Sequence, residues 1–131
     1  MTKVRSKKVI FNGIKFDSKK ECKYYQYLLA LKNAGDIKEI ELQPRFLLIE
    51  GFRHEAKENP LEAKSSGFEH NQICGKLRDT TYTADFKVVF KSGKEIIIDV
   101  KSSKKFQDEV YRIKKKMFLK KYPDVDFYEV Y

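Results

Sequence analysis

The alternation of apolar and polar residues divides the chain into seven stretches of regular structure. In VIFNGIKF (residues 9–16), Asn12-Gly13 sits between two short apolar runs, the strongest short-range signal for a β-hairpin. In the next segment, DSKKECKYYQYLLALKNAG, residues Cys22, Tyr25, Leu28, Leu29 and Lys32 recur at helical spacing. Ser18 can cap its start and Gly35 suits the position after its last turn, so the pattern predicts a helix from about 18 to 34. IKEIELQPRFLLIE (37–50) reads as extended, and Pro44 within it predicts an edge position or a break in pairing. Residues Tyr82–Lys91 are rich in β-formers, Ser92-Gly93-Lys94 turns the chain, and EIIIDVK (95–101) is the next strand. Its three consecutive isoleucines indicate a central strand buried on both faces. Residues 104–122 are again helical, with Phe106, Val110, Ile113 and Met117 on one face and Pro123 just beyond the end. VDFYEVY (125–131) closes as a strand. The last strand–helix–strand step has the length of a right-handed crossover, which makes strands 95–101 and 125–131 parallel.

Between these elements, residues 53–78 have little periodicity and predict a long flexible surface loop. No second domain or internal repeat is visible. A length of 131 residues with 41% hydrophobic residues is one domain's worth of chain with a real core. No apolar run approaches the length of a membrane span, and the amino terminus has no secretory h-region, so the expectation is a cytoplasmic protein without a membrane partner. Cys22 and Cys74 lack metal-ligand or disulfide-framework spacing and read as two reduced thiols. His54 and His70, in the same polar stretch as Cys74, make a poor metal set.

Charge changes the picture. The net charge is +9, and the excess is not uniform. Residues 1–20 carry seven basic side chains against Asp17, and 101–121 carry nine against Asp108 and Glu109, whereas 53–78 is nearly balanced. Two basic segments on one small domain point to a polyanionic partner, since cations that displace counterions from phosphates give sequence-independent affinity. Residues 1–8 then read as a basic arm able to lie along a duplex.

The candidate chemistry lies in the central strand. Asp99 and Lys101 share one face of EIIIDVK, and charges inside a sheet layer are costly unless paired or bound to an ion. Asp85 belongs to the preceding strand, TYTADFKVVF. With a three-residue loop at Ser92–Lys94, it would lie across from Lys101 and diagonal to Asp99 on the same face. Converging carboxylates are hard oxygen ligands for magnesium or manganese, and a neighbouring ammonium can steady charge on a phosphate. The bland alternative is two hairpin ion pairs, Asp85 with Lys101 and Asp99 with Lys87. Glu21 fits a capping box with Ser18, yet it also lies at the end of the stripe Glu21, Tyr25, Leu28 that faces the core. Position alone favours the cap.

The order of these motifs resembles the common core of the PD-(D/E)XK nucleases. More closely, GIKFDSKKECKYYQYL, IELQPRF, YTADF, IIDVKS and KKKMFLKKYPD together resemble a small phage-associated, Holliday-junction-resolvase-like family within that superfamily. The resemblance implies an α/β restriction-endonuclease-like core (αβββαβ, a mixed sheet flanked by helices) behind the amino-terminal hairpin. It implies a single nuclease-like domain over 1–131 with catalytic residues Glu21, Asp85, Asp99 and Lys101. Mg²⁺ or Mn²⁺ would be held by Asp85, Asp99 and the Val100 backbone carbonyl, and by Glu21 directly or through water. Ala84 stands where the name-giving proline would be, a position without chemistry. Gln43, in a Gln-Pro pair, is implied to contact the metal water or DNA. Ser102, Ser103, Lys104 and Lys105, in the loop and helix start after Lys101, are expected at the DNA backbone, where helix amides also hold phosphate, and Lys114 is a further candidate. The implied activity is cleavage of branched DNA in phage recombination or replication, by a phage- or prophage-encoded homodimer in a bacterial cell. A non-catalytic DNA-binding accessory protein on the same fold and an RNA-processing nuclease are the alternatives.

Overall fold

Asn12 and Gly13 both adopt positive φ, 50° and 75°, as a two-residue hairpin turn requires. The turn joins β1 (Val9–Phe11) to β2 (Ile14–Phe16), with Val9 opposite Phe16. The computed structural model describes residues 8–61, 67–105 and 107–131. Residues 1–7, which hold most of the expected basic arm, and Phe106 of the expected apolar stripe lie outside these.

Ser18 caps α1 (Lys19–Asn33), its hydroxyl accepting the Glu21 N–H at 3.1 Å. At the other end Gly35 turns to φ 89°, donating to the Lys32 carbonyl while Asp36 donates to that of Leu31, both at 3.0 Å. A Cβ is strained in this left-handed conformation, so Gly35→Ala is expected to cost about 1 kcal/mol. An unchanged urea midpoint would show that the turn relaxes instead.

The stretch 37–50 is divided at Gln43 (φ 50°) and Pro44 into β3 (Ile37–Leu42) and β4 (Arg45–Ile49), the break that Pro44 predicts. It is followed by β5 (Phe52–His54), β6 (Gly75–Leu77), β7 (Thr80–Thr83) and β8 (Phe86–Phe90). The returning chain is divided in the same place, at Ala84-Asp85. Across the break the Gln43 N–H donates to the Asp85 carbonyl at 2.9 Å and the Ala84 N–H to the Pro44 carbonyl at 3.0 Å. Leu42 faces Phe86 and Arg45 faces Thr83, so the register is unchanged through the bend and one antiparallel ladder runs on from β3–β8 into β4–β7. Beyond it Phe52 pairs with Leu77 and His54 with Gly75. The expected loop 53–78 therefore begins and ends as a two-stranded ribbon. Its three-residue strands carry no alternation to read, and the pairing follows the ladder already begun by β4 and β7.

β9 (Glu95–Val100), α2 (Glu109–Lys121) and β10 (Phe127–Val130) complete the chain. The main sheet is mixed, in the order β10-β9-β8-β3, with β10 parallel to β9 and the other pairs antiparallel. The parallel step and the edge position of β3 are as the sequence predicts. Ile98 packs with Phe16, Cys22, Leu28 and Phe86 beside α1, while Ile97 packs with Leu48, Tyr82 and Phe118 beside α2. Adjacent residues on a strand point to opposite faces, so the isoleucine run is buried on both. The protein is thus a mixed α/β fold with a helix on each side of the sheet.

α2 departs from expectation twice. It begins at Glu109 rather than 104, because the Ser103 hydroxyl accepts the Lys105 N–H at 3.1 Å and holds a local turn in place of helix. Its core-facing side is Phe118 with Tyr111, Met117 and Tyr122; of the expected stripe Met117 packs there, whereas Val110 and Ile113 are 56% and 53% exposed. The aromatic face buries more area, and its hydroxyls find partners in Glu129 and the Leu47 carbonyl.

Candidate functional site

The bend at Asp85, the carboxyl end of β9 and the first turn of α1 enclose a cleft of about 980 Å³. Asp85, Glu21, Val100, Lys101 and Ser102 line it. In the hairpin that positions the acids, Phe86 faces Ile98 and Val89 faces Glu95, and the Phe90 N–H donates to the Lys94 carbonyl at 2.8 Å. The loop is therefore Lys91-Ser92-Gly93, and Asp85 is level with Asp99 instead of Lys101. A slip of two residues preserves the face, so the expected grouping survives the wrong register.

Asp85 stands where the ladder bends. Its own N–H donates to the Ile98 carbonyl at 3.2 Å, and its Oδ2 accepts the Val100 N–H at 2.7 Å, so a carboxylate caps the end of the central strand. Burial pushes this carboxyl up to about 8, the neighbouring Asp99 carboxyl adds to the rise, and the Val100 N–H opposes it. Asp99 is 3% exposed and is not among the residues lining the cleft; its Oδ2 accepts the Tyr82 hydroxyl and lies 3.6 Å from the Lys101 ammonium. Burial and then Asp99 push the Tyr82 hydroxyl strongly up, so it remains a donor. Of the two ion pairs in the bland alternative, neither forms: Lys101 pairs with Asp99, and Lys87 with Glu95 at 3.7 Å.

Glu21 enters from α1. Its backbone is capped by Ser18, while its side chain, in a residue only 7% exposed, faces the cleft. Burial, then the negative charges of Asp17 and Asp99, push it up to about 7, with Lys101 pulling the other way. Cap and cleft roles are thus divided between backbone and side chain.

Three carboxyl groups and one ammonium therefore share a small volume, and burial, more than their mutual charge, is what raises the Asp85 and Glu21 carboxyls. Carboxyl oxygens, plus a backbone carbonyl at Val100, suit a hard divalent cation, which would displace the protons that Asp85 and Glu21 hold. Among the described residues, no three Asp, Glu, His or Cys side chains already stand close enough together to form a finished cation site. Tyr82, Lys101 and the Val100 N–H each hold one of the acids in its present place.

The structure places the remaining candidates less uniformly. Ser102 lines the cleft, but Gln43 does not: it lies opposite Asp85 through its backbone and is exposed. The Ser103 hydroxyl is engaged by Lys105, and the Lys104 ammonium lies 5.3 Å from the Tyr131 ring centroid, away from the cleft lining. Lys105 and Lys114 are outside the lining as well, and the amides of α2 begin too late to serve the turn at Ser102.

A family with no assigned function, described as a protein of unknown function (DUF1064), matches this chain over residues 1–130. The chain belongs to the DUF1064 family. No curated protein and no solved structure matches it.

This DUF1064 chain also uses residues that sequence reasoning passed over. Lys19 and Lys20 line the cleft, as does Lys8 of the expected basic arm, and together they give it a basic rim beside Asp17 and the other acids. The Ser18 cap that places Glu21 could have placed Lys19 and Lys20 too, since all belong to the first turn. Tyr82 on Asp99 and Tyr111 beside Lys101 had no such signal, because a tyrosine in a strand or helix reads simply as core.

Proposed function

We propose that the protein is a metal-dependent DNA endonuclease on a PD-(D/E)XK-type core, selective for branched DNA. The observation that carries the reading is the meeting of Glu21, Asp85, Asp99 and Lys101, from three separate elements, around one cleft with a basic rim. Asp85, Asp99 and the Val100 carbonyl would hold Mg²⁺ or Mn²⁺, with Glu21 reaching it through water. Such an ion, when bound, polarises a phosphoryl oxygen and makes hydroxide available near neutral pH. The chain's own residues do the rest. Lys101, held against Asp99, offers a cation to the non-bridging oxygens as charge builds on the phosphate. Lys8, Lys19, Lys20 and Ser102 orient the flanking backbone. Cutting a symmetric junction on both strands would take two copies, and a homodimer forms part of the proposal.

The test is incubation of purified protein with four-way junction, nicked, linear and single-stranded DNA and matched RNA, in Mg²⁺, Mn²⁺ or EDTA. Cleavage of the junction in either metal and none in EDTA is expected. Binding without cleavage of any substrate would leave a DNA-binding protein, and faster cutting of RNA would reassign the substrate. Lys19→Ala/Lys20→Ala should weaken DNA binding about equally across sequences and lower the slope of log affinity against log salt by about 2. An unchanged slope in a fluorescence-anisotropy titration would remove these lysines from the interface.

A further inference from the structure

The Lys101 side chain is only 24% exposed, and its ammonium does more than pair with Asp99. It sits 3.4 Å from the centroid of the Tyr111 ring, well within cation–π range. That ring is itself fixed. The Tyr111 hydroxyl donates to Glu129 Oε2 at 2.5 Å, and the same oxygen accepts the Lys115 ammonium at 2.9 Å and the Gln107 amide at 3.0 Å. The Tyr131 hydroxyl donates to the other Glu129 oxygen at 3.0 Å. Glu129 pairs in register with Asp99 on the parallel strand, so Asp99 and its cation stand beside Glu129 and its own. The Tyr111 ring centroid lies 3.4 Å from the Lys101 ammonium and 5.0 Å from that of Lys115.

We infer that Tyr111, anchored by Glu129, is a positioning residue that holds the Lys101 ammonium over the cleft end of the sheet. A lysine has a flexible four-carbon stem, and an ion pair at 3.6 Å leaves it several rotamers. A ring face on one side and a carboxylate on the other leave few. The ring is the part that acts, and the hydroxyl only fixes the ring. This makes Phe a conservative replacement and Leu a disabling one. The catalytic meaning of the contact rests on the nuclease reading, whereas the contact does not.

The experiment uses full-length protein with ¹³C-labelled lysine, the Lys101 Cε–Hε signal being assigned by its loss in Lys101→Arg. Protons above an aromatic face move upfield, so the wild-type signal should lie upfield of other lysines without metal or DNA. Tyr111→Phe should keep that shift, and Tyr111→Leu should lose it. On junction DNA, Tyr111→Leu should lower kcat about 10–100-fold with KM within about twofold, and Tyr111→Phe should stay within about threefold of wild type. Glu129→Gln, which like Tyr111→Phe weakens the anchor without removing the ring, should stay within the same limits, and Tyr111→Met, which also lacks a ring, serves equally if Tyr111→Leu fails to fold. A Lys101 signal that is unshifted in the wild type, or indifferent to loss of the ring, overturns the inference. A lost shift with unchanged kcat also overturns it. A shifted signal in a wild-type protein that cuts nothing would instead uphold the contact and sink the nuclease reading.

Discussion

Asp99→Asn is expected to lower metal-dependent cleavage about 10³-fold, a loss of about 4 kcal/mol of transition-state stabilisation. The carboxylate stands at the centre of the site: Tyr82 donates to it, Lys101 pairs with it and Asp85 lies beside it. The amide removes the negative charge that would hold a cation, and it can turn an N–H toward the Lys101 ammonium where an acceptor is needed. Lys101→Ala should cause a loss of similar order by removing the cation from the same place. Groups that act as one unit are not additive, so the double variant should fall little below the worse single one. Folding must be separated from chemistry, since Asp99 is buried and its replacement can cost about 1–2 kcal/mol through the Tyr82 and Lys101 contacts. The comparison is therefore of single-turnover rates in Mg²⁺ at a temperature where circular dichroism shows every variant folded. Cleavage within tenfold of wild type in Asp99→Asn would remove this residue from the site.

What could be read from the sequence was whatever depends on parity and local chemistry. The Asn12-Gly13 hairpin, the helix capped by Ser18 and closed by Gly35, the break at Pro44 and the buried isoleucine strand all follow from residues acting within a few positions of themselves. The face shared by Asp85, Asp99 and Lys101 could be read for the same reason. Alternation fixes the face even when a loop of the right length is placed one residue too late and the register is misjudged by two. What depends on distant partners could not be read. α2 turns its tyrosine face inward because Glu129 and the Leu47 carbonyl wait there for two hydroxyls, and nothing local distinguishes that face from the Val110–Ile113 stripe. The β5–β6 ribbon exists only as a continuation of its neighbours. Glu21 illustrates the divide within one residue: the cap on its backbone is a local fact, whereas the place of its carboxyl beside Asp99 and Lys101 depends on the fold.

Without divalent metal, the protein should become less stable as the pH rises from about 5 to about 9. Asp85 and Glu21 hold their protons more tightly when folded, to about 8 and about 7, than an ordinary carboxyl near 4 does. Between those values the folded state binds more protons than the unfolded state, so stability is fully present below the lower value and is lost as the pH climbs through the higher one. Glu129 works in the other direction. Tyr111, Lys115 and Tyr131 hold its carboxyl below the usual range despite its burial, and its contribution is lost only in acid. The metal-free protein should therefore be most stable in mildly acidic solution. Asp85→Asn keeps an oxygen for the Val100 N–H and removes the charge, so at pH 9 in EDTA it should be about 2 kcal/mol more stable than wild type. Near pH 4 the two should converge. A cation that neutralises these acids competes with their protons, so Mg²⁺ should raise the wild-type Tm more at pH 9 than at pH 6 and leave Asp85→Asn almost unmoved. Thermal melts across pH with EDTA or Mg²⁺ decide the matter. A wild-type Tm in EDTA that is flat between pH 5 and 9, or an Asp85→Asn protein less stable than wild type at pH 9, would mean that the fold does not raise these two carboxyls.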